Sequence, residues 1–290
     1  MIVDSHVHFW RYDRDRDGWI TEAMAVLQRD FLPADFEPLA RGHGIDGVVA
    51  VQAAQSEEET RFLADLAAGH PLIRGVVGWI DLKDPGLAGR LEAWADRPVV
   101  KGWRHIVQAE PEGFLGRRDF RRGVATIGRR GYTYDLLIYH HQLEEAAAFV
   151  EALGDQRLML DHCAKPDVRS DSLAPWEKEM RRIARHPGVH CKLSGLLTEA
   201  RWRGWTEEDL RPYIDVVLDA FGPERLVFGS DWPVVLLSGD YSDWMRVVES
   251  CLAPLGAELR QAVFGANAAR FYSLEVSDRP VPGPPPQPWT

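Results

Sequence analysis

The sequence is poor in the features that mark secreted and membrane-spanning proteins. Three cysteines, Cys163, Cys191 and Cys251, are too few and too far apart for a disulfide framework, and none forms a Cys-x-x-Cys pair. No window approaches the roughly 18 consecutive apolar residues of a membrane helix, and no basic, cleavable leader precedes the first apolar run. Together these absences predict a soluble cytoplasmic protein.

Excess positive charge and the common nucleotide motifs are also missing. Lys and Arg number 34 against 44 Asp and Glu, so the net charge is −10 and no stretch can neutralise a run of phosphates. There is no Gly-x-Gly-x-x-Gly fingerprint, no P-loop and no Gly-x-Ser-x-Gly elbow. The expected partner is a small molecule, with no nucleic acid and no membrane; the sequence leaves the oligomeric state open.

What the chain does contain is a regular alternation of short apolar runs and longer amphipathic segments. The predicted strands are Ile2–Phe9, Gly47–Ala53, Ile73–Ile80, Val99–His105, Thr133–Tyr139, Arg157–Asp161, Val189–Ser194 and Leu226–Gly229. The predicted helices are Ala34–His43, Glu57–Ala68, Leu87–Ala95, Asp119–Arg130, Gln142–Leu153, Pro175–His186, Glu207–Phe221, Asp243–Leu255 and Glu258–Phe271. Parallel strands need such crossover helices, and eight units can close into a barrel.

The alternation therefore predicts one α/β domain over residues 1–274, a (β/α)8 TIM barrel. An open, doubly wound sheet is the alternative, although its dinucleotide-binding form lacks the glycine fingerprint here. Residues 275–290 are rich in proline and are predicted to be a tail outside the barrel, either an arm that packs on a neighbour or a disordered end.

Ionisable residues follow the apolar runs at the predicted carboxyl ends of the strands, where barrel enzymes bind their ligands. His6 and His8 stand two residues apart, so alternation puts both imidazoles on one face, suited to Zn²⁺ or a similar ion. His162 ends the sixth strand. Asp231 ends the eighth and suits a general base, a metal ligand or both, although a turn or N-cap is its structural alternative.

Positive charge gathers at the same predicted edge of the sheet. Arg104 and Lys192 can hold a carboxylate, a ring oxygen or a developing oxyanion, or can pair with nearby acids as structural bridges. His105 follows Arg104. Only one of His140 and His141 can point inward, and the sequence does not say which.

These motifs resemble the amidohydrolase superfamily, and within it the lactonase branch. The resemblance covers nearly the whole chain and rests on the following segments: Asp4-Ser5-His6-Val7-His8, Lys101-Gly102-Trp103-Arg104-His105, Tyr139-His140-His141, Leu160-Asp161-His162-Cys163-Ala164-Lys165-Pro166, Cys191-Lys192-Leu193-Ser194-Gly195 and Gly229-Ser230-Asp231-Trp232-Pro233.

The resemblance implies a distorted (β/α)8 barrel that hydrolyses L-fucono-, L-rhamnono- or similar sugar-acid lactones. It implies Asp231 and His162 as catalytic residues, substrate binding by Arg104, Lys192, His105 and His141, and a possible metal site of His6, His8 and Asp231. No Lys clearly fills the bridging place of the superfamily's binuclear centre. The site is thus expected either to hold one Zn²⁺ or to work without a metal.

Two other functions remain open from the sequence. Related barrels with similar His-x-His starts are metal-dependent decarboxylases of muconate-like or aromatic acids. A barrel that binds a small acid without turning it over is the second alternative.

Substrate specificity is expected to depend on the loops Arg11–Leu32 and Leu196–Trp205. Their aromatic side chains can stack on a sugar ring or cover the mouth of the barrel; these are Trp19, Trp202 and Trp205.

Overall fold

Eight parallel strands lie side by side in chain order in the computed structural model, which describes residues 1–170 and 172–275. The strands are β1 (Val3–Val7), β2 (Gly47–Val51), β3 (Ile73–Gly78), β4 (Val100–Ile106), β5 (Thr133–Leu137), β6 (Leu158–Leu160), β7 (Val189–Leu193) and β8 (Leu226–Phe228). Each consecutive pair is joined by a parallel ladder. The eight predicted strands and the single-domain (β/α)8 fold are confirmed.

Helices follow the strands, close to their predicted positions. They are α1 (Pro33–His43), α2 (Glu57–Gly69), α3 (Leu87–Glu92), α4 (Arg118–Arg129), α5 (Leu143–Leu153), α6 (Leu173–Ile183), α7 (Leu196–Glu199), α8 (Glu207–Phe221), α9 (Tyr241–Leu252), α10 (Ala257–Gln261) and α11 (Asn267–Phe271). A π-helical turn, Ala262–Ala266, joins α10 to α11, so the predicted last helix is present with an irregular middle. The short α7 was not predicted.

Local sequence signals explain where several helices begin. The Ser56 side chain accepts a hydrogen bond from the Glu59 amide at the start of α2, and Thr206 forms a capping box with Asp209 at the start of α8. Such side chains satisfy amide groups that the first helical turn leaves without partners.

The two edges of the sheet meet at their carboxyl ends and close the barrel there. The Asp231 amide donates to the His6 carbonyl at 2.9 Å, and the His8 amide donates to the Trp232 carbonyl at 2.7 Å. Val7 and Trp232 form the parallel bridge between these bonds. The residues that close the barrel are therefore the same ones that carry the candidate chemistry.

The apolar core has two parts. One lies between the sheet and the helices, and a smaller cluster fills the barrel interior, where inward side chains such as Val49, Val51 and Val77 meet Phe271 and Tyr272 of the final turn. Among the described residues no helix is long and apolar enough to cross a membrane. The predicted proline-rich tail lies outside the described residues, apart from Glu275.

Candidate active site

A change of face within β1 aims His6 and His8 into the barrel. Val3 packs into the interior cluster, whereas Val7, four residues later, packs against the helices. Side chains four residues apart on a regular strand share one face, so the strand changes face between them. The pairing of β1 with β2 shifts register between Asp4 and Val7, and such bulges commonly re-aim side chains next to active sites.

The barrel closure is reinforced from beneath by Asp4. Its carboxylate accepts hydrogen bonds from the amides of Ser230 and His6, at 2.9 and 3.1 Å, and from the Tyr241 hydroxyl at 3.1 Å. Asp4 is fully buried. It thereby fixes the backbone beside both His6 and Asp231.

His162 and Asp231 both stand in the left-handed region of backbone conformation. The φ angle of Asp231 is 59°, and those of the four residues from His162 to Lys165 lie between 46° and 56°. For residues other than glycine this conformation costs about 1–2 kcal/mol each. Strain of this kind clusters at functional sites, where the surrounding structure enforces it. Here the turn sends the side chains of both His162 and Lys165 to one cavity.

The ring of His162 is held from behind. Its Nδ1 atom lies 2.8 Å from the Ser194 hydroxyl oxygen. Gly195 follows with a φ of 69°, and a Cβ atom there would lie only 2.7 Å from the same Nδ1. A glycine is thus required at this position both by backbone conformation and by the close approach of the imidazole.

Three imidazole nitrogens converge on one carboxylate oxygen at the barrel mouth. The Oδ1 atom of Asp231 lies 3.2, 3.7 and 3.9 Å from the Nε2 atoms of His8, His6 and His162. The two Nε2 atoms of His6 and His8 lie 3.2 Å apart. All four residues are at least 95 % buried. The structure therefore brings together the four residues that the strand ends predicted.

The pKa values of three of these side chains are shifted from their ordinary values. Burial lowers the pKa of His162 to about 4, although Asp231 and Asp161 oppose it. Burial and the Lys192 ammonium hold the pKa of His6 well below its ordinary value. Burial alone would raise the pKa of Asp231, but the surrounding imidazoles outweigh it and hold the pKa below its usual range. Near neutral pH His6 and His162 are thus neutral and Asp231 is ionised.

Arg104 approaches the same histidine from the side. One guanidinium nitrogen lies 3.2 Å from Nε2 of His6 and 3.1 Å from Oδ2 of Asp161, and the other donates to the Gln52 carbonyl. Arg104 is 97 % buried yet still lines the cavity, so its charge is available to an oxygen bound beside His6.

Lys192 lies one layer below this floor. Its ammonium is completely buried and lies 2.9 Å from carboxylate oxygens of both Asp135 and Asp161, and 3.3 Å from Nδ1 of His6. Asp135 also accepts a 2.6 Å hydrogen bond from Tyr272. Lys192 therefore does not make the predicted contact with substrate, because His6 separates its ammonium from the cavity.

No role for Asp135 is predicted from the sequence. The feature that could have revealed one is the presence of a carboxylate within an otherwise apolar strand.

The structure does not bring His105 or His141 to the cavity. Arg104 and His105 are adjacent on β4, so their side chains take opposite faces, and His105 pairs outward with Glu110 at 2.7 Å. His140–Gln142 forms a 3-10 turn in which His141 is exposed, while Nδ1 of His140 lies 3.1 Å from the Lys165 carbonyl. Neither histidine of that pair lines the cavity; Tyr139 does.

The cavity above these groups has a volume of about 560 Å³. His8, Arg104, His162 and Asp231 form its polar floor. The cavity wall also contains polar residues for which the sequence alone gives no substrate-binding role, and these include Gln55, Gln108, Tyr139, Lys165, Arg169 and Glu199. Of the predicted loop aromatics, Trp19 and Trp202 line the cavity, whereas Trp205 donates to the Ser238 carbonyl outside it.

His6, His8 and Asp231 form a group that could hold a metal ion. Their ligand atoms all lie within 4.8 Å of one another. Nδ1 of His8 lies 2.7 Å from the Val51 carbonyl, so it carries the proton and leaves Nε2 bare toward Asp231. Two acceptors 3.2 Å apart need a proton or a cation between them. In a tetrahedral Zn²⁺ site, ligand atoms about 2.0–2.1 Å from the ion lie about 3.4 Å apart, close to the spacings seen here.

Comparison with known proteins agrees with this geometry. The family described as Amidohydrolase matches residues 3–274. An L-fucono-1,5-lactonase of Burkholderia multivorans is 43 % identical over 94 % of this chain and 96 % of its own length. One from Burkholderia ambifaria is 36 % identical over 96 % of each chain. A crystal structure of a Burkholderia multivorans amidohydrolase with bound Zn superposes with a TM-score of 0.92 at 42 % identity, covering 95 % of this chain and all of that one. The chain therefore belongs to the amidohydrolase family.

Proposed function

We propose that this protein is a lactonase that opens the ring ester of a sugar-acid lactone, with L-fucono-1,5-lactone as the first candidate. The observation that carries the proposal is the convergence of three imidazoles on the carboxylate of Asp231 at the floor of a cavity. Relatives at 43 % and 36 % identity over nearly their whole length are L-fucono-1,5-lactonases, and an L-rhamnono-gamma-lactonase of Scheffersomyces stipitis is 24 % identical over 61 % of this chain.

In the proposed reaction Asp231 is the general base. It takes a proton from a water molecule, whose oxygen attacks the lactone carbonyl carbon. The bond between that carbon and the ring oxygen then breaks, and Asp231 returns the proton to the ring oxygen as it leaves. One water is consumed and one hydroxy acid is released, so atoms and charge balance. Because its pKa is held below the usual range, Asp231 is ionised near neutral pH and is free to accept the proton.

The developing negative charge on the carbonyl oxygen needs fixed positive partners. Arg104 supplies a permanent charge beside His6, and this buried guanidinium is anchored by Asp161 and Gln52, so it needs no reorganisation during the reaction. Nε2 of His162 lies 3.9 Å from Oδ1 of Asp231, and its ring is fixed by Ser194. We assign charge stabilisation to Arg104 and positioning of the water to His162.

We further propose that His6, His8 and Asp231 hold one Zn²⁺. When bound, the ion would polarise the lactone carbonyl as a Lewis acid. Among the described residues, positive charge disfavours binding of a second metal ion. The other group with suitable ligand atoms, His6 with Asp161 and His162, already receives Arg104 and Lys192, which place two positive charges against Asp161.

The test is a pH-indicator screen of sugar-acid lactones with the purified protein, with and without a chelator. Acid release from L-fucono-1,5-lactone or a close stereoisomer is expected, with slower release after Zn²⁺ is stripped. No acid from any lactone, together with carbon dioxide from aromatic or muconate-like acids, would overturn the proposal in favour of a decarboxylase.

A further inference from the structure

An ion pair on the cavity wall remains outside the chemistry described above. Nζ of Lys165 lies 3.4 Å from Oε1 of Glu199, and both side chains line the cavity while keeping less than a quarter of their surface exposed. We propose that this pair recognises the ring hydroxyls of the substrate and makes the site selective for polyhydroxylated lactones. The inference rests on the proposed lactonase function.

The position of Lys165 is tied to the catalytic histidine. It is the last of the four left-handed residues that begin at His162, and its amide donates to the His162 carbonyl at 2.8 Å. The Lys165 ammonium lies 5.7 Å from the ring centre of Tyr139, another wall residue. The turn thus fixes the distance between the group beside the reacting carbonyl and the group that would contact the rest of the ring.

Glu199 is held just as firmly. It ends α7, and the carbonyls on either side of it, those of Thr198 and Ala200, accept hydrogen bonds from Arg169 at 3.1 and 3.0 Å. Trp202, which also lines the cavity, donates to the Thr198 carbonyl at 3.0 Å. The backbone is therefore fixed on both sides of Glu199, which preorganises its carboxylate for binding.

Both charged groups keep free hydrogen-bonding capacity. Across residues 1–170 and 172–275, Lys165 is the single ion-pair or hydrogen-bond partner of the Glu199 carboxylate, which leaves its second oxygen for a ligand. The ammonium has three donors and uses one on Glu199. Neighbouring hydroxyls on a sugar ring both donate and accept, so an acceptor beside a donor matches them.

The cations around the cavity are each held by a partner within the protein. Three cations line the cavity, and each is engaged: Arg104 with Asp161, Lys165 with Glu199, and Arg169 with two backbone carbonyls. The remainder of the lining is mainly apolar, including Met24, Ile106, Leu137, Val234 and Leu237.

The experiment compares Glu199→Gln and Lys165→Met with wild type on the sugar lactone that it opens best. Each change is expected to raise KM about 10- to 100-fold, the range for losing hydrogen bonds to a charged group, with kcat within about threefold. δ-Valerolactone, which has the ring ester but no hydroxyls, serves as a competitive inhibitor whose inhibition constant should stay within about twofold.

Glu177→Gln and Lys178→Met are matched controls, since Glu177 pairs with Arg181 and Lys178 with Glu179 on the surface of α6. KM values that stay within about twofold in both cavity variants would overturn the inference. So would an equal rise in KM and in the inhibition constant of δ-valerolactone, because the pair would then shape the cavity rather than recognise hydroxyls. Wild-type protein that opens no lactone would instead overturn the proposed function itself.

Discussion

Nε2 of His8 lies 3.2 Å from Oδ1 of Asp231, while the other ring nitrogen of His8 lies 2.7 Å from the Val51 carbonyl. The carbonyl fixes the tautomer, so a bare nitrogen faces an ionised carboxylate. Nε2 of His6 lies 3.2 Å from Nε2 of His8. Together these atoms make the floor of the cavity suitable for binding one cation.

The first prediction concerns metal content. Protein equilibrated with Zn²⁺ and then desalted should retain about one ion per chain by elemental analysis, and His8→Ala should retain almost none. His141→Ala, which changes an exposed histidine outside the cavity, is the control and should retain the wild-type content. Two ions per chain, or full retention by His8→Ala, would contradict the assignment.

The second prediction separates Arg104 from His141 in catalysis. Arg104→Met should lower kcat/KM roughly 100- to 1,000-fold, as expected when a buried charge next to a developing oxyanion is removed. His141→Ala should leave kcat/KM within about twofold. Steady-state kinetics on the best lactone measure both effects, and circular dichroism checks that each variant is folded. An equal loss in the two variants would argue against this account of the site.

The positions of the site residues show which parts of the candidate site can be predicted from the sequence. His6, His8, His162 and Asp231 could be predicted because residues that follow apolar runs collect at one edge of a parallel barrel. His105 shows the limit of this rule. It lies near the end of β4, but side chains alternate between the two faces of a strand, so Arg104 points inward and His105 points outward.

The depth of a side chain along the barrel axis could not be predicted from the sequence either. Lys192 stands near a strand end as Asp231 does, yet it lies below His6, between Asp135 and Asp161. Only the register between neighbouring strands decides which layer a side chain joins. The left-handed turn at His162–Lys165 likewise depends on contacts with Ser194 and Gly195, which come from a distant segment.

The third prediction follows from charge balance below the floor. Lys192 and Arg104 balance Asp135 and Asp161, all four being buried. Lys192→Met leaves one uncompensated charge and should lower the free energy of unfolding by about 3–5 kcal/mol in urea titrations. Adding Asp135→Asn restores the balance, so the double variant should be more stable than the single one. A double variant less stable than Lys192→Met would refute the balance argument.

The fourth prediction concerns pH and Glu59. Burial raises the pKa of this carboxyl to about 7, despite hydrogen bonds from the amides of Ala53 and Ala54. The folded protein therefore binds a proton that the unfolded chain releases above its ordinary pKa of 4.5. Stability from this group is full below pH 4.5 and is lost as pH rises to about 7.

Glu59→Gln should remove that component of the pH dependence. Urea unfolding at pH 5 and pH 7.5 should show a loss of stability that is about 2 kcal/mol smaller for the variant than for wild type, because this interval covers most of the pKa shift and each unit corresponds to about 1.4 kcal/mol. Glu58→Gln on the same helix is the control and should behave as wild type. Parallel stability curves for wild type and Glu59→Gln would rule out the raised pKa.

The central claim is that Asp231 activates the water that opens the lactone. Asp231→Asn keeps the shape of the side chain but removes the base, so kcat should fall roughly 10²- to 10⁴-fold on every lactone that the wild type opens. Thermal unfolding should show that the variant remains folded. If Asp231→Asn hydrolyses those lactones at near wild-type rates, Asp231 is not the base and the mechanism is wrong.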